Sequence, residues 1–200
     1  MTPKVQNRPK GRPRAFDVQK AVDCALDVFL RKGYEGASMT DLTRAMGIER
    51  PSLYAAFGDK EGLFRKVLDR YMDQTMVYLN SALQEKTARR FVERVLRGAL
   101  ESQTDPHNAP GCLMVQGALS CAEESEPIRE ELACRRRQIE AAIRARLERA
   151  RKEGDRSVTG SPADLARYLA TVMHGMSVQV AGGASRKELQ RVVDTALKVF

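Results

Sequence analysis

The stretch Ser38–Phe64, SMTDLTRAMGIERPSLYAAFGDKEGLF, carries signals for two short helices, a tight turn between them and the start of a third. Ser38 is an N-cap whose hydroxyl can accept from an otherwise unpaired backbone N–H, and Asp41 three residues on completes a variant of the capping box. A helix therefore starts near Met39. It carries Met39, Leu42 and Met46, with the half-apolar Thr43, at three- and four-residue steps, and it stops at Gly47, which tolerates the left-handed backbone of a helix end. Pro51 suits a first helical turn, where its missing N–H would be unpaired anyway, and Leu53 and Phe57 lie four apart on one face of the second helix. Arg50, Ser52, Tyr54 and Ala55 fall on the other face. Gly58 ends this helix, Asp59 caps the next, and Lys60 and Glu61 open it.

A short amphipathic helix with small and hydrogen-bonding side chains outward fits a DNA major groove. The run resembles the DNA-binding domain of the TetR family of bacterial transcriptional regulators. Its carriers are Ser38, the turn at Gly47, Leu53-Tyr54-Ala55-Ala56-Phe57 and Lys60-Glu61-Gly62-Leu63, preceded by Ala25, Phe29, Gly33 and Tyr34 at the family's spacing. Two residues depart from the pattern: Thr43 stands where the family usually has Ala, and Glu49 where a Ser or Thr usually caps the recognition helix. Glu49 caps less well and adds negative charge facing DNA, which bears on affinity or site preference and not on the fold.

The resemblance implies an all-α protein, with an N-terminal three-helix helix-turn-helix domain and a C-terminal helical ligand-binding and dimerisation domain. The expected division is a disordered basic arm over 1–14, the DNA-binding domain over 15–61 and the effector-binding and dimerisation domain over 62–200. It also implies a cytoplasmic, dimeric regulator on a near-palindromic operator of double-stranded DNA, usually a repressor released by a small molecule. Tyr54 and Lys60 are placed for phosphates, while Thr40, Arg50, Ser52 and Ala55, beside Pro51, are placed for base edges.

Composition agrees with a DNA partner without identifying one. The 200 residues carry a formal net charge of +8, with 42% hydrophobic and 30% charged residues, the balance of an ordinary globular protein with affinity for polyanions. No segment reads as a membrane span or signal peptide. Residues 1–14 hold five basic side chains, three prolines and no acid, a composition that cannot bury a core. Arg8, Arg12 and Arg14 in RPKGRPR resemble an AT-hook, whose extended backbone fits a narrow minor groove; the alternative is a solvated basic tail making phosphate contacts alone.

The rest of the chain reads as amphipathic helices. Asp17 caps the first, and from Asp59 a long helix runs to about Gln84, continuous from the reader into the body. Further helices are expected over Ala88–Ser102, Cys112–Cys121, from Pro127 to Gly154, after Ser161-Pro162-Ala163-Asp164 and after Ser185 with Glu188. His107 reads as a solvated loop residue, and Arg135-Arg136-Arg137 as a solvated helix face in preference to a second nucleic-acid site. The helix from Pro162 is apolar on nearly every side and must be covered all round. It is therefore expected to pair with the last helix against a copy of itself, through Leu165, Leu169, Val172, Met176, Leu189, Val193 and Leu197.

Tyr71, Met76, Phe91, Cys112, Met114, Met173 and His174 are candidates for an effector pocket, with plain core as the competing role of each. Among the four cysteines there is no C-x-x-C pair, and nine residues between Cys112 and Cys121 is about 900° of helical rotation, which puts the thiols on opposite faces. Reduced, mostly buried thiols are the expected state, with a redox- or metal-sensing role for Cys112 or Cys121 as the alternative. An architectural A·T-rich DNA-binder led by the arm is a further alternative. With two histidines, no glycine-rich phosphate loop, no G-x-S-x-G and no metal-spaced His/Cys set, the chain lacks the parts of an enzyme or a cofactor site.

Overall fold

A computed structural model describes residues 16–106, 111–116 and 125–200, and among these every regular element is helical. The order is α1 (Val18–Gly36), α2 (Met39–Met46), α3 (Arg50–Phe57), α4 (Lys60–Ala82), α5 (Ala88–Thr104), α6 (Leu113–Gln116), α7 (Glu126–Lys152), α8 (Pro162–Ala181) and α9 (Arg186–Ala196), closed by a 3-10 turn at Leu197–Val199. Of the helix expected over Cys112–Cys121, α6 is the described portion. The remainder with Cys121, His107 and the arm over 1–14 lie outside the described residues.

Side-chain caps set most of these boundaries. Asp17 accepts from the backbone N–H groups of Gln19 and Lys20, and Ser38 and Asp41 each accept the other's N–H at 3.1 Å. Asp59 accepts from Gly62 at 2.7 Å, and Ser185 with Glu188 repeats the box of Ser38 and Asp41. Each such cap contributes about 1 kcal/mol. Glu49 makes no capping bond at the start of α3, as its side chain led one to expect. Gly47 adopts φ 64° and ψ 31°.

Helices α1 to α3 and the first turns of α4 form the N-terminal head. Its centre is Phe29, Tyr34 and Phe64, with the Phe29 and Phe64 rings 4.9 Å apart edge to face, ringed by the fully buried Leu42 and Leu53. The approach of α3 to α4 is set by Gly62, where a Cβ would lie 2.1 Å from the Phe57 carbonyl oxygen. No other residue allows that turn without displacing the backbone.

The body is built on α5, which packs against α4, α8 and α9, while α7 lies along α8. The loop between α7 and α8 returns to cap α5, with Asp155 Oδ2 accepting from Ala88 N at 2.7 Å. That N–H, followed by Ser157, holds the Asp155 carboxyl below its ordinary value. Helices α4 and α7 run side by side in the same direction, joined by long side chains. Near their N-terminal ends Arg65 pairs with Glu131 at 2.9 Å and Arg135 with Asp69 at 2.7 Å. At the other end Arg149 and Arg146 donate to the carbonyls of Leu83 and Glu85 at 3.0 and 2.6 Å, cations at the negative end of the α4 dipole.

The apolar inner faces of α8 and α9 are covered within one protomer. Leu165, Leu169, Met176, Leu189, Val193 and Leu197 are all buried in the core, which corrects their expected place at a surface against a second copy. The physical reason is that α5 and α7 together cover more of α8 than the chain's length suggested. Of the expected set, Val172 alone keeps partial exposure. On α8, α9 and the closing turn the large apolar side chains left outward are Val178, Val192 and Val199, each exposed by more than two fifths.

Candidate nucleic-acid interface and interior cavity

Leu53, fully buried, anchors α3 through one line of its surface. The opposite line therefore faces out. Arg50, Pro51, Tyr54 and Ala55 are exposed, as is Thr40 on α2, while Ser52 is half-buried. The structure brings two of these side chains together: an Arg50 Nη2 hydrogen donates to Thr40 Oγ1 at 2.9 Å, a bond that joins the exposed faces of α2 and α3. Tyr54 stands clear at 49% exposure. Lys60 is less free, with Nζ 4.5 Å from the centroid of the Tyr34 ring and 3.5 Å from the Glu35 carbonyl oxygen. Burial lowers its pKa, with Glu35 working the other way.

Asp41 does more than close its box. Lys32 pairs with it at 2.8 Å, and this bond, ahead of those from Ser38, holds the carboxyl well below the usual carboxylate range. The result locks α2 onto the end of α1 with the acid neutralised beside the exposed face. That face is left positive in balance at Arg44 and Arg50, both exposed.

In the body, an enclosed cavity lies between α4, α5, α6, α7 and α8. It is lined by Tyr71, Thr75, Tyr78, Ala99, Ser102, Gln103, Cys112, Met114, Ile139, Ala170, Met173 and His174. Its free space is about 20 Å³, room for one water molecule. Tyr71, Cys112, Met114, Met173 and His174 are thus brought together at one cavity. Phe91 is not: it is fully buried under the Arg146 guanidinium, 5.6 Å from the ring centroid, because its face of α5 turns toward α7 and away from the cavity. The Met76 side chain lies outside the described residues.

The sequence reading missed Thr75, Tyr78, Ser102 and Gln103. A signal for Gln103 was present, since it continues the apolar line Val92, Leu96, Ala99 of α5 at helical steps and is the polar member of an otherwise apolar face. Its Nε2 donates to the Met173 carbonyl oxygen at 3.2 Å, and its Oε1 is buried with no hydrogen-bond partner. Cys112 is buried, and burial pushes its thiol up despite bonding from Tyr71. Cys24 is exposed and Cys134 half-buried, so that among the described thiols Cys112 is the buried one.

A helix-turn-helix head on an all-helical body with an interior cavity is the construction of a DNA-binding regulator. The chain belongs to the tetR family of bacterial regulatory proteins, whose model matches residues 21–67, and a tetracyclin repressor-like C-terminal domain model matches residues 88–196. It is 31% identical to the transcriptional repressor ComR of Escherichia coli K12 over 195 residues, covering 96% of this chain and 93% of ComR. It is 30% identical to the repressor BdcR of the same organism, over 94% of this chain and 91% of BdcR. A solved structure of a cysteine-substituted CifR, a TetR-family regulator in complex with 26-base-pair operator DNA, superposes with a TM-score of 0.89 at 42% identity, over 94% of this chain and 98% of CifR. The protein is a transcriptional regulator of this family and not an enzyme.

Proposed function

We propose that the chain acts as a homodimer, binds a near-palindromic operator through α3 and the exposed face of α2, and represses transcription until a small molecule enters the body. The observation that carries this reading is the exposed line of Thr40, Arg50, Pro51, Tyr54 and Ala55 backed by the buried Leu53. Repressor relatives and the operator complex of CifR support it. Arg50 is poised for a base edge but tied to Thr40 in the free head, so binding exchanges that bond for one to DNA.

Selection of bound sequences from a random DNA library at physiological salt tests the reading: a near-palindrome with fixed half-site spacing is expected. An A·T-rich pool without dyad symmetry would instead favour recognition led by the basic arm. On the selected site, Arg50→Ala is expected to cost about 1–3 kcal/mol and to relax specificity at the base it meets. An equal loss on unrelated DNA would make Arg50 a phosphate contact.

A second reading, regulation through thiol oxidation, has less support at Cys112. A buried thiol with a raised pKa is a poor nucleophile, and the cavity around it favours a non-covalent occupant.

A further inference from the structure

The lining of the interior cavity is mostly apolar, and its polar groups are uncharged. Burial raises the pKa of Tyr71 and Tyr78 and of Cys112, and it lowers that of His174, with Arg136 acting in the same direction. At neutral pH each of these groups is in its neutral form. A charged occupant would therefore be desolvated without a counter-charge among the described lining residues. The nearest cation, Arg136, already donates to the Met114 carbonyl oxygen.

Within this neutral lining one acceptor is left over. Gln103 is 8% exposed, its amide is fixed by the bond to Met173 O, and its Oε1 has no partner. A buried carbonyl oxygen is costly to leave unpaired, so a ligand that brings a donor there supplies a bond that no protein group makes. Tyr71 and Tyr78 offer ring surface. Met114 and Met173 are unbranched side chains that can rotate to enlarge the present space and make favourable sulfur contacts with an aromatic ring.

Resting on the regulator reading above, we infer that this cavity takes a neutral aromatic hydroxyl compound, of the phenol class, whose O–H donates to Gln103 Oε1 while the ring displaces Met114 and Met173. Because the space is closed before the ligand arrives, binding has to move α6 or its neighbours. Since Gly33 at the end of α1 lies against the Gln116 carbonyl of α6, with a Cβ there reaching it at 3.7 Å, that movement reaches the head directly. The ligand shifts the equilibrium by its preference for the opened body.

The test uses the purified full chain with phenol and with anisole, its methyl ether, which has the same ring and no donor. Benzoate and benzylamine serve as charged counterparts, and binding is read by thermal shift with and without the selected operator. The expected result is saturable binding of phenol, at least about tenfold weaker binding of anisole (about 1.4 kcal/mol), no shift with benzylamine or benzoate, and release of operator by phenol. Gln103→Leu is expected to make phenol and anisole equal. The phenol and anisole pair on the unaltered chain decides the matter even if that variant folds poorly. Equal binding of the two, tighter binding of benzoate through Arg136, or no binding of phenol overturns the inference, the last leaving a structural water alone at Gln103. Thermal shift reads the cavity without DNA, so failure to bind any operator counts against the regulator reading alone.

Discussion

His174 faces Arg136 and Glu140 of α7 and shares the cavity with Tyr71, Tyr78 and Cys112, and burial, then Arg136, lowers its pKa from the ordinary 6.5. The unfolded chain thus takes up this proton before the folded one does. Stability is unaffected above pH 6.5 and falls as the pH drops below it, because the unfolded state then binds more protons. Asp41 and Asp155 work in a separate window: both are depressed from 3.8, so what they contribute is lost at lower pH. Urea unfolding between about pH 7 and pH 5 is therefore expected to show a declining midpoint that His174→Gln flattens; an unchanged slope would place the titration elsewhere. At this scale the caps were legible, because Ser38, Asp59, Ser161 and Ser185 act on backbone three residues away. The bonds of Arg50 to Thr40 and Lys32 to Asp41 were not, since they exist only once α1, α2 and α3 have met.

Among the elements, α4 runs from the head into the body, and its partner α7 holds it by charge at one end and by arginine-to-carbonyl bonds at the other. The sequence showed the length of α4 and the charged surface of α7. It read Arg135-Arg136-Arg137 as a solvated face, whereas Arg135 reaches Asp69, Arg136 reaches the Met114 carbonyl and Arg137 stays in solvent with Glu130. Spacing along one helix cannot tell which charges a second helix will meet. Arg135 is three-quarters buried and Asp69 about half, so Arg135→Ala is expected to cost up to about 1 kcal/mol. Because the pair is partly open, the loss should shrink in about 1 M salt. Guanidinium would mask this, so urea melts are the measurement; a loss indifferent to salt would mean packing of the arginine stem and not its charge.

For the whole molecule, the all-helical class and the position of the reading head were legible in one stretch, while the outward face of the final helix pair was not. The apolar count of α8 predicted cover on every side, and it did not say that α5 and α7 supply so much of it. On this pair and its closing turn, the large apolar side chains that remain outward are Val178, Val192 and Val199. If the proposed homodimer joins through this face, Val192→Glu is expected to give a monomer by light scattering at micromolar concentration and to lower operator affinity steeply, with the helical content unchanged; a dimer that survives would move the interface elsewhere. The pairing of α4 with α7 bears on how such an assembly can move. Along the two parallel helices the charges run positive then negative, Arg65 and Asp69, against negative then positive, Glu131 and Arg135. Slide α7 by one turn either way and Arg65 meets Arg135, or Asp69 meets Glu131. The pattern is a detent with a single notch: it opposes any stepwise slide of α7 along α4, so that whatever part of a signal α4 carries reaches the DNA-reading head as a tilt or a lift of that helix, beside the direct contact of α6 with α1.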